Sequence, residues 1–346
     1  MATIGKITED FFQKVIRPRL GARRAEVAVG PEQGVDVGIL EIGDYALALT
    51  ADPVFIVPEY GFQRSAWFAI HILASDAVTS GLPPAFLSID LNLPPELSDE
   101  DLALMWEVIH RECEKMGAAI VCGHTGRYEN CDYPMVGGAT FIAMGPRQAY
   151  CSPRFCKPGD QILITKGPAV EATGIFATMF PDRIEKKFGA AFRKQAEDVF
   201  YQMSVVEDAR IAASVGTRDQ GVAAMHDATE YGIWGGLHEF AQAAKLGLVV
   251  HRDEIVTTPA VKEICELFGI EPFSSISEGT LIAAVRPRAA TEVLRRLQDH
   301  GIRASICGEM TEASEGIRVV EAGKKRDLQH PGVDPFWGAF FRALKS

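Results

Sequence analysis

The chain has 346 residues with an ordinary globular composition, 47% hydrophobic and 23% charged, and a net charge of −11. Its length suits two domains or one large one. The net negative charge and the lack of a row of Lys and Arg residues argue against a nucleic-acid-binding surface. No apolar run approaches the roughly 20 residues of a membrane span. The N-terminal stretch MATIGKITEDFF contains no signal-peptide core, so we expect a cytoplasmic protein.

The seven cysteines are an odd number and are spread along the chain without a C-x-x-C pair. This pattern argues against a zinc ribbon or a thioredoxin-like site. Cys151 and Cys156 could form a redox pair, but reduced structural thiols are the simpler interpretation for a cytoplasmic protein.

In the first half of the chain, three predicted elements each present a carboxylate. A glycine-punctuated segment, GPEQGVDVGIL, contains Asp36, and a strand (YALALT) ends just before Asp52. The apolar run at 66–74 predicts a buried helix, with Asp76 just after it and Gly81 as the helix stop. An unpaired buried carboxylate is costly, so Asp76 needs a cation or several donors. Otherwise it caps a turn or pairs with an arginine.

The following segments predict two more strands around a long helix. Residues 85–92 (AFLSIDLN) alternate as in a strand, and Ser98 with Asp101 forms a capping box that has Asp in place of Glu. Apolar residues then recur at helical spacing up to Gly117. A buried strand, AAIVC, ends in Gly123-His124-Thr125. Here His124 could contact a metal or a phosphate, or it could be a loop histidine bonded to the backbone.

The Pro- and Gly-rich segment 145–159 predicts a domain boundary, so we expect domains at 1–157 and 158–346. A strand, QILIT, opens the second domain and turns at Lys166, which could meet a phosphate although a solvated lysine is the simpler interpretation. A long helix is expected at about 196–215. Further expected elements are a strand at 222–225 ending at His226-Asp227, a glycine-rich turn at Gly232–Gly236, and alternating helices and strands up to the aromatic tail at 331–346.

Several common motifs are absent: there is no G-x-x-x-x-G-K-[ST], no G-x-G-x-x-G after a strand, no G-x-S-x-G and no H-E-x-x-H. What remains is a set of acidic residues at element ends, namely Asp36, Asp52, Asp76 and Asp227. Each of them alone could be a cap or a turn residue. If they converge, their mutual repulsion requires a divalent cation, and hard oxygen ligands favour Mg²⁺ or Ca²⁺ over zinc. Glycines such as those of Gly232–Gly236 let backbone N–H groups approach a phosphate.

Seven segments, in order over nearly the whole chain, resemble motifs of the aminoimidazole ribonucleotide (AIR) synthase superfamily. This superfamily includes HypE, selenophosphate synthetase and thiamine-monophosphate kinase, and the chain resembles HypE most. The segments are LTADP, ASDAVTSGLPP, IVCGHTG, TKGPAVEATGI, MHDATEYGIWGGLHEFA, LFGIEPFSSISEGTLIAAV and ICGEMTE.

The resemblance implies an α+β, two-domain PurM-like fold. Its N-terminal ATP-binding domain forms a β-barrel with the dimer mate and is followed by a C-terminal α/β domain. ATP and Mg²⁺ would bind between the domains, and a carbonyl, amide or phosphate acceptor would be activated by phosphoryl transfer. The residues implied as metal ligands are Asp36, Asp52, Asp76 and Asp227. Those implied in ATP binding or catalysis are Asp36, Asp52, Asp76, Asp227, Gly123, His124, Thr125 and Gly235.

The chain also departs from these relatives. HypE ends in a tail with a terminal Cys, whereas this chain ends AFFRALKS and its last cysteine is Cys307. HypE usually has Asp at the position of His124. Selenophosphate synthetase has His there, but its reactive N-terminal Cys or Sec has no counterpart before Cys113. The leading hypothesis is a homodimeric, Mg²⁺-dependent ATP-using enzyme in hydrogenase maturation, with a partner protein. The alternatives are a small-molecule kinase and a non-catalytic maturation scaffold.

Overall fold

The computed structural model describes residue 7 and residues 9–345. Residues 1–6 and 8, which make up most of the N-terminal stretch MATIGKITEDFF, therefore lie outside it, as does Ser346 at the end of the tail. The six strands of the first sheet are β1 (Val27–Val29), β2 (Gly38–Ile42), β3 (Tyr45–Phe55), β4 (Pro84–Leu93), β5 (Ala119–Arg127) and β6 (Met135–Pro146). The seven strands of the second are β7 (Gln161–Thr165), β8 (Val222–Ala228), β9 (Gly247–His251), β10 (Thr280–Val285), β11 (Ala304–Thr311), β12 (Ile317–Glu321) and β13 (Lys324–Asp327).

The helices are α1 (Glu9–Phe11), α2 (Phe62–Val78), α3 (Asp99–Met116), α4 (Val170–Met179), α5 (Pro181–Phe188), α6 (Ala190–Glu197), α7 (Val206–Ala213), α8 (Gly232–Ala244), α9 (Pro259–Phe268), α10 (Pro287–Asp299) and α11 (Pro335–Ala343). The predicted α+β class is confirmed by this mixture. Within the described ranges, no helix is long and apolar enough to cross a membrane. The seven cysteines are free thiols.

The first sheet has the strand order β1-β2-β3-β6-β4-β5, and only β4 and β5 run parallel. Side chains of β3 alternate, with Ala46, Ala48 and Val54 fully buried on the face covered by α2. The other face of β3 is more exposed. In the described part of a single chain, β1 and β5 are open edges and no closed barrel is formed. The predicted barrel would need a second copy.

The second sheet has the order β13-β12-β9-β11-β7-β10-β8, and its central strands are buried on both faces. Ile164 of β7 packs in one core with Leu237 and Phe240 of α8. Leu163, the neighbour of Ile164, faces the other way and joins a core that also contains Leu73 of α2. A continuous core therefore spans both halves of the chain and fixes how the two sheets meet.

Two hydrogen bonds tie α2 to the segment just before α7. The Ser75 hydroxyl accepts the Val205 N–H at 3.0 Å. His71 Nδ1 is 2.8 Å from the Ser204 hydroxyl, so this buried histidine has a hydrogen-bond partner in the core. These contacts hold residues 203–205 out of helical conformation. As a result, the single helix expected at about 196–215 is wrong; the chain instead forms the end of α6, a 3₁₀ turn (Asp198–Gln202) and α7.

Several predicted elements are longer than expected, and this moves the acidic residues. Strand β3 pairs with β6 as far as Phe55, so Asp52 lies inside a strand and not after one. Helix α2 continues to Val78, which places Asp76 in its last turn. Strand β8 likewise includes Asp227. The helix predicted after Ser98 is confirmed, with the Ser98 hydroxyl accepting the Asp101 N–H at 3.0 Å.

Candidate active site

The four aspartates singled out by sequence meet where the two sheets adjoin. Asp36 precedes β2, Asp52 lies in β3, Asp76 in α2 and Asp227 in β8. Burial raises the pKa of Asp76 well above its ordinary value, and the carboxylates of Asp227, Asp36 and Asp52 add to this rise. The Thr50 hydroxyl donates to Asp76 Oδ2 at 2.7 Å. The fold thus brings together carboxylates that are distant in sequence.

Asp227 is the most deeply buried member of the group, with 2% of its surface exposed. Burial and the Asp36 carboxylate raise its pKa to about 7, against the opposing effect of His226. Among the described residues, no hydrogen-bond partner exists for Asp227 Oδ2. An orphaned buried oxygen among other carboxylates is an unfavourable arrangement that a divalent cation relieves. The residues present therefore fit such an ion.

His226 is the residue that precedes Asp227 in β8, and its sequence position alone gave it no separate role. Its Nδ1 lies 2.7 Å from Asp36 Oδ1. Burial opposes its protonation, but Asp36, Asp227 and Glu239 outweigh burial and raise the pKa of His226 to about 9. One ligand atom each from Asp36, His226 and Asp227 lies within 4.8 Å of the others. The group therefore includes a nitrogen donor.

Two glutamates, Glu278 buried and Glu171 half-buried, border the cluster and were not singled out by sequence. Glu278 is 1% exposed, and neither of its carboxylate oxygens forms a hydrogen bond within the described chain. Burial, then Asp227 and Glu171, raise the pKa of Glu278 well above its ordinary value. Glu171 Oε2 accepts the Glu278 N–H at 3.0 Å. The Ser-Glu-Gly triplet in the segment LFGIEPFSSISEGT was the available signal for Glu278.

The expected glycine-rich turn Gly232–Gly236 forms the first turn of α8. Gly236 lets α8 approach the sheet, since a Cβ there would lie 2.9 Å from Ile282 Cδ1 and 3.4 Å from the His226 ring. The Tyr231 N–H, at the start of α8, donates to Asp334 Oδ2 at 2.8 Å. Gly235 lies within the helix. The close packing of α8 on the sheet explains why a glycine stands at position 236. A phosphate contact at this turn stays a prediction.

Gly123, His124 and Thr125 lie on β5, at the edge of the first sheet. This strand is three positions from β3, which at about 4.8 Å per strand is roughly 14 Å. The His124 ring is exposed, and its Nε2 bonds with the Tyr128 hydroxyl. The structure does not bring His124 together with the aspartates of the same chain.

Lys166 is not a solvated lysine, and this prediction is corrected. It is 8% exposed, and its Nζ donates to the Ser204 carbonyl at 2.6 Å and to Asp208 Oδ2 at 2.8 Å. A phosphate would have to displace these partners. Lys166 itself has a positive φ of 58° in the turn after β7.

Fold and site together define a two-domain α+β protein with a buried acidic cluster where its sheets meet. The N-terminal domain of the AIR synthase related proteins matches residues 34–143, and their C-terminal domain matches residues 157–321. These matches span most of the chain. The protein belongs to the AIR synthase related family.

Two relatives illustrate its place in the family. The putative hydrogenase expression/formation protein of Methanocaldococcus jannaschii is 24% identical over 342 residues, which is 96% of each chain. Carbamoyl dehydratase HypE of Escherichia coli is 29% identical over 273 residues, or 77% of this chain and 76% of HypE. The similarity to HypE agrees with the resemblance found in the sequence.

Three solved structures share the fold at identities that establish the fold alone. HypE in complex with ATP has a TM-score of 0.67 at 22% identity, covering 84% of this chain and 86% of that one. HypE in a HypE–HypF complex has a TM-score of 0.67 at 20% identity, covering 85% and 93%. AaThiL complexed with AMPPCP and TMP has a TM-score of 0.70 at 18% identity, covering 94% and 97%.

Proposed function

We propose that the protein is a Mg²⁺-dependent, ATP-using enzyme of the HypE/AIR synthase type that acts in hydrogenase maturation. It would activate an oxygen of a carbonyl, amide or phosphate acceptor by phosphoryl transfer. The observation that carries this proposal is the convergence of Asp36, Asp52, Asp76 and Asp227 from both halves of the chain. The ATP bound to a HypE of the same fold supports the choice of nucleotide.

In this proposal the four aspartates hold Mg²⁺, which supplies charge neutralisation for the transferring phosphoryl group. Thr50 orients Asp76 through its hydroxyl. Glu278 borders these ligands, and its two carboxylate oxygens have no hydrogen-bond partner within the described chain. It would therefore add a further negative charge beside the ion.

Replacing Asp76 with asparagine is expected to weaken Mg²⁺-dependent ATP binding at least about 10-fold, because one anionic ligand is lost. Binding is measured by calorimetry with and without Mg²⁺. Asp44→Asn, at an exposed turn between β2 and β3, is the matched control and should bind like the wild type. Equal Mg²⁺-dependent binding by Asp76→Asn and the wild type would refute the assignment of Asp76.

We further propose that two copies pair through the face of the first sheet that α2 does not cover, closing the barrel. Val121 of β5 and Met135 of β6 are 54% and 59% exposed. His124 lies on β5, so any contact of this residue with phosphate would be made to the second copy's site. Sedimentation velocity should show a dimer, and Val121→Glu with Met135→Glu should give a monomer with unchanged circular dichroism. A monomeric wild type at micromolar concentration contradicts this pairing.

The acceptor and a maturation partner are further parts of the proposal. Trp337 and Phe341 of α11 are 47% and 55% exposed and stack on each other, which provides a surface for a partner protein. The HypE–HypF complex is a precedent within the same fold.

ATP turnover by the isolated protein would separate an enzyme from a scaffold, and turnover with small phosphate esters would favour the kinase alternative. A cytoplasmic location stays a prediction.

A further inference from the structure

The proposed metal site contains a nitrogen donor besides its carboxylates. His226 Nδ1 and Asp36 Oδ1 are 2.7 Å apart, and with an oxygen of Asp227 they form a group within 4.8 Å. Two atoms in neighbouring positions of an octahedral ion, each bonded at about 2.1 Å, lie about 3 Å apart. The two atoms are hydrogen-bonded here, and a lengthening of about 0.3 Å would bring them to the spacing of two ligands on one ion.

A second observation points to an ion at the same place. Oδ2 of Asp227 is buried without a hydrogen-bond partner in the described part of the chain, and the whole residue is 2% exposed. The ring of His226, 6% exposed, is next to it in β8. A buried oxygen with no donor, beside an imidazole and another carboxylate, is the arrangement that a bound cation completes.

The other side of the imidazole is arranged as for a metal ligand. Nε2 of His226 lies 3.9 Å from Glu239 Oε2 on α8. A histidine that binds a metal commonly has its second nitrogen near a carboxylate, which fixes the orientation of the ring. Gly236 leaves room for the ring, since a Cβ there would be 3.4 Å from His226 Cδ2. Glu239 therefore lies on the Nε2 side of the ring, beyond hydrogen-bond distance.

We propose that His226 binds the metal directly through Nδ1, and that the site consequently takes divalent transition metals such as Mn²⁺ or Co²⁺ more tightly than Mg²⁺. This inference rests on the metal site of the proposed function and specifies its selectivity. Imidazole nitrogen favours first-row transition metals, whereas Mg²⁺ prefers oxygen ligands. On binding, the proton shared by Nδ1 and Asp36 leaves to solvent, and Nε2 keeps its proton towards Glu239.

The test uses the full chain without ATP and with Mn²⁺ alone as the probe. Electron spin-echo modulation of bound Mn²⁺ should show coupling to one directly bound ¹⁴N in the wild type and none in His226→Gln. The affinity for Mn²⁺ should fall at least about 10-fold in His226→Gln, while that for Mg²⁺ changes less. His330→Gln is the matched control, because His330 also lies near Glu239, with Nε2 3.8 Å from its Oε1.

The wild-type spectrum tests whether a nitrogen binds Mn²⁺ even if His226→Gln fails to fold. Bound Mn²⁺ without ¹⁴N coupling, coupling that persists in His226→Gln, or no Mn²⁺ binding at all would each overturn the inference. Glu239→Gln should keep the coupling, because Glu239 lies on the Nε2 side of the ring and not beside Nδ1. Failure of the proposed function is seen separately, as absence of Mg²⁺-dependent ATP binding by the wild type.

Discussion

Replacing Lys166 with methionine is expected to lower the free energy of unfolding by about 3–5 kcal/mol, because it leaves a buried charge without its partner. Asp208 is 2% exposed, and its Oδ1 already lacks a hydrogen-bond partner among the described residues. Loss of the 2.8 Å contact between Lys166 Nζ and Asp208 Oδ2 would leave the whole carboxylate uncompensated. Urea denaturation followed by circular dichroism measures the change.

Two further variants make this prediction specific to burial. Lys157 and Asp219 form an ion pair of similar length, 2.7 Å, but their side chains are 62% and 73% exposed. Lys157→Met should therefore cost less than about 1 kcal/mol. The double variant Lys166→Met with Asp208→Leu should recover most of the loss, since both buried charges are gone. A Lys166→Met protein as stable as the Lys157→Met control contradicts the structural role assigned to this pair.

Replacing Glu171 with glutamine is expected to stabilise the metal-free protein, and increasingly so as the pH rises. Burial, with further contributions from Glu230, Asp334 and Asp227, raises the pKa of Glu171 from 4.5 to about 8. The folded state thus binds this proton more tightly than the unfolded state. The stability associated with the wild-type carboxyl is complete below about pH 4.5 and is lost as the pH rises towards 8.

The glutamine variant removes this loss while keeping an oxygen for the Glu278 N–H. One pKa unit corresponds to about 1.4 kcal/mol. Because the side chain is only half-buried, we expect a gain of roughly 1–3 kcal/mol at pH 8 and little change at pH 4.5. Unfolding is measured between these pH values in chelator, with Glu266→Gln, exposed on α9, as the control. A difference from wild type that does not grow with pH would count against the raised pKa of Glu171.

The sequence was sufficient to identify the four aspartates, because each lies near the end of an apolar element and in a recognisable motif. The sequence could not show which residues surround these aspartates in the folded protein. Glu278 is buried and Glu171 half-buried only because α4 and the segment before β10 pack together, and no spacing along the chain predicts this contact. His124 was grouped with the aspartates through its motif, whereas the strand order places β5 at the far edge of the sheet.

The burial of Lys166 and the interruption of the expected helix before α7 were not predicted, for a related reason. A lysine after a strand is usually solvated, and nothing local signals that Asp208 lies within reach of its ammonium group. Likewise, helical periodicity at 196–215 takes no account of Ser75 or His71, whose bonds to residues 204 and 205 interrupt the helix. In both cases tertiary hydrogen bonds override a reasonable local preference.

Helix α2 carries Asp76 in its last turn and, through His71 and Ser75, both hydrogen bonds to the segment before α7. This one helix thus connects a proposed cation ligand with the contact between the two halves of the chain. If a cation binds at Asp76, its binding and the packing of the two halves are coupled, with the same coupling energy in each direction. Ion occupancy and the mutual placement of the two sheets would then form one linked equilibrium.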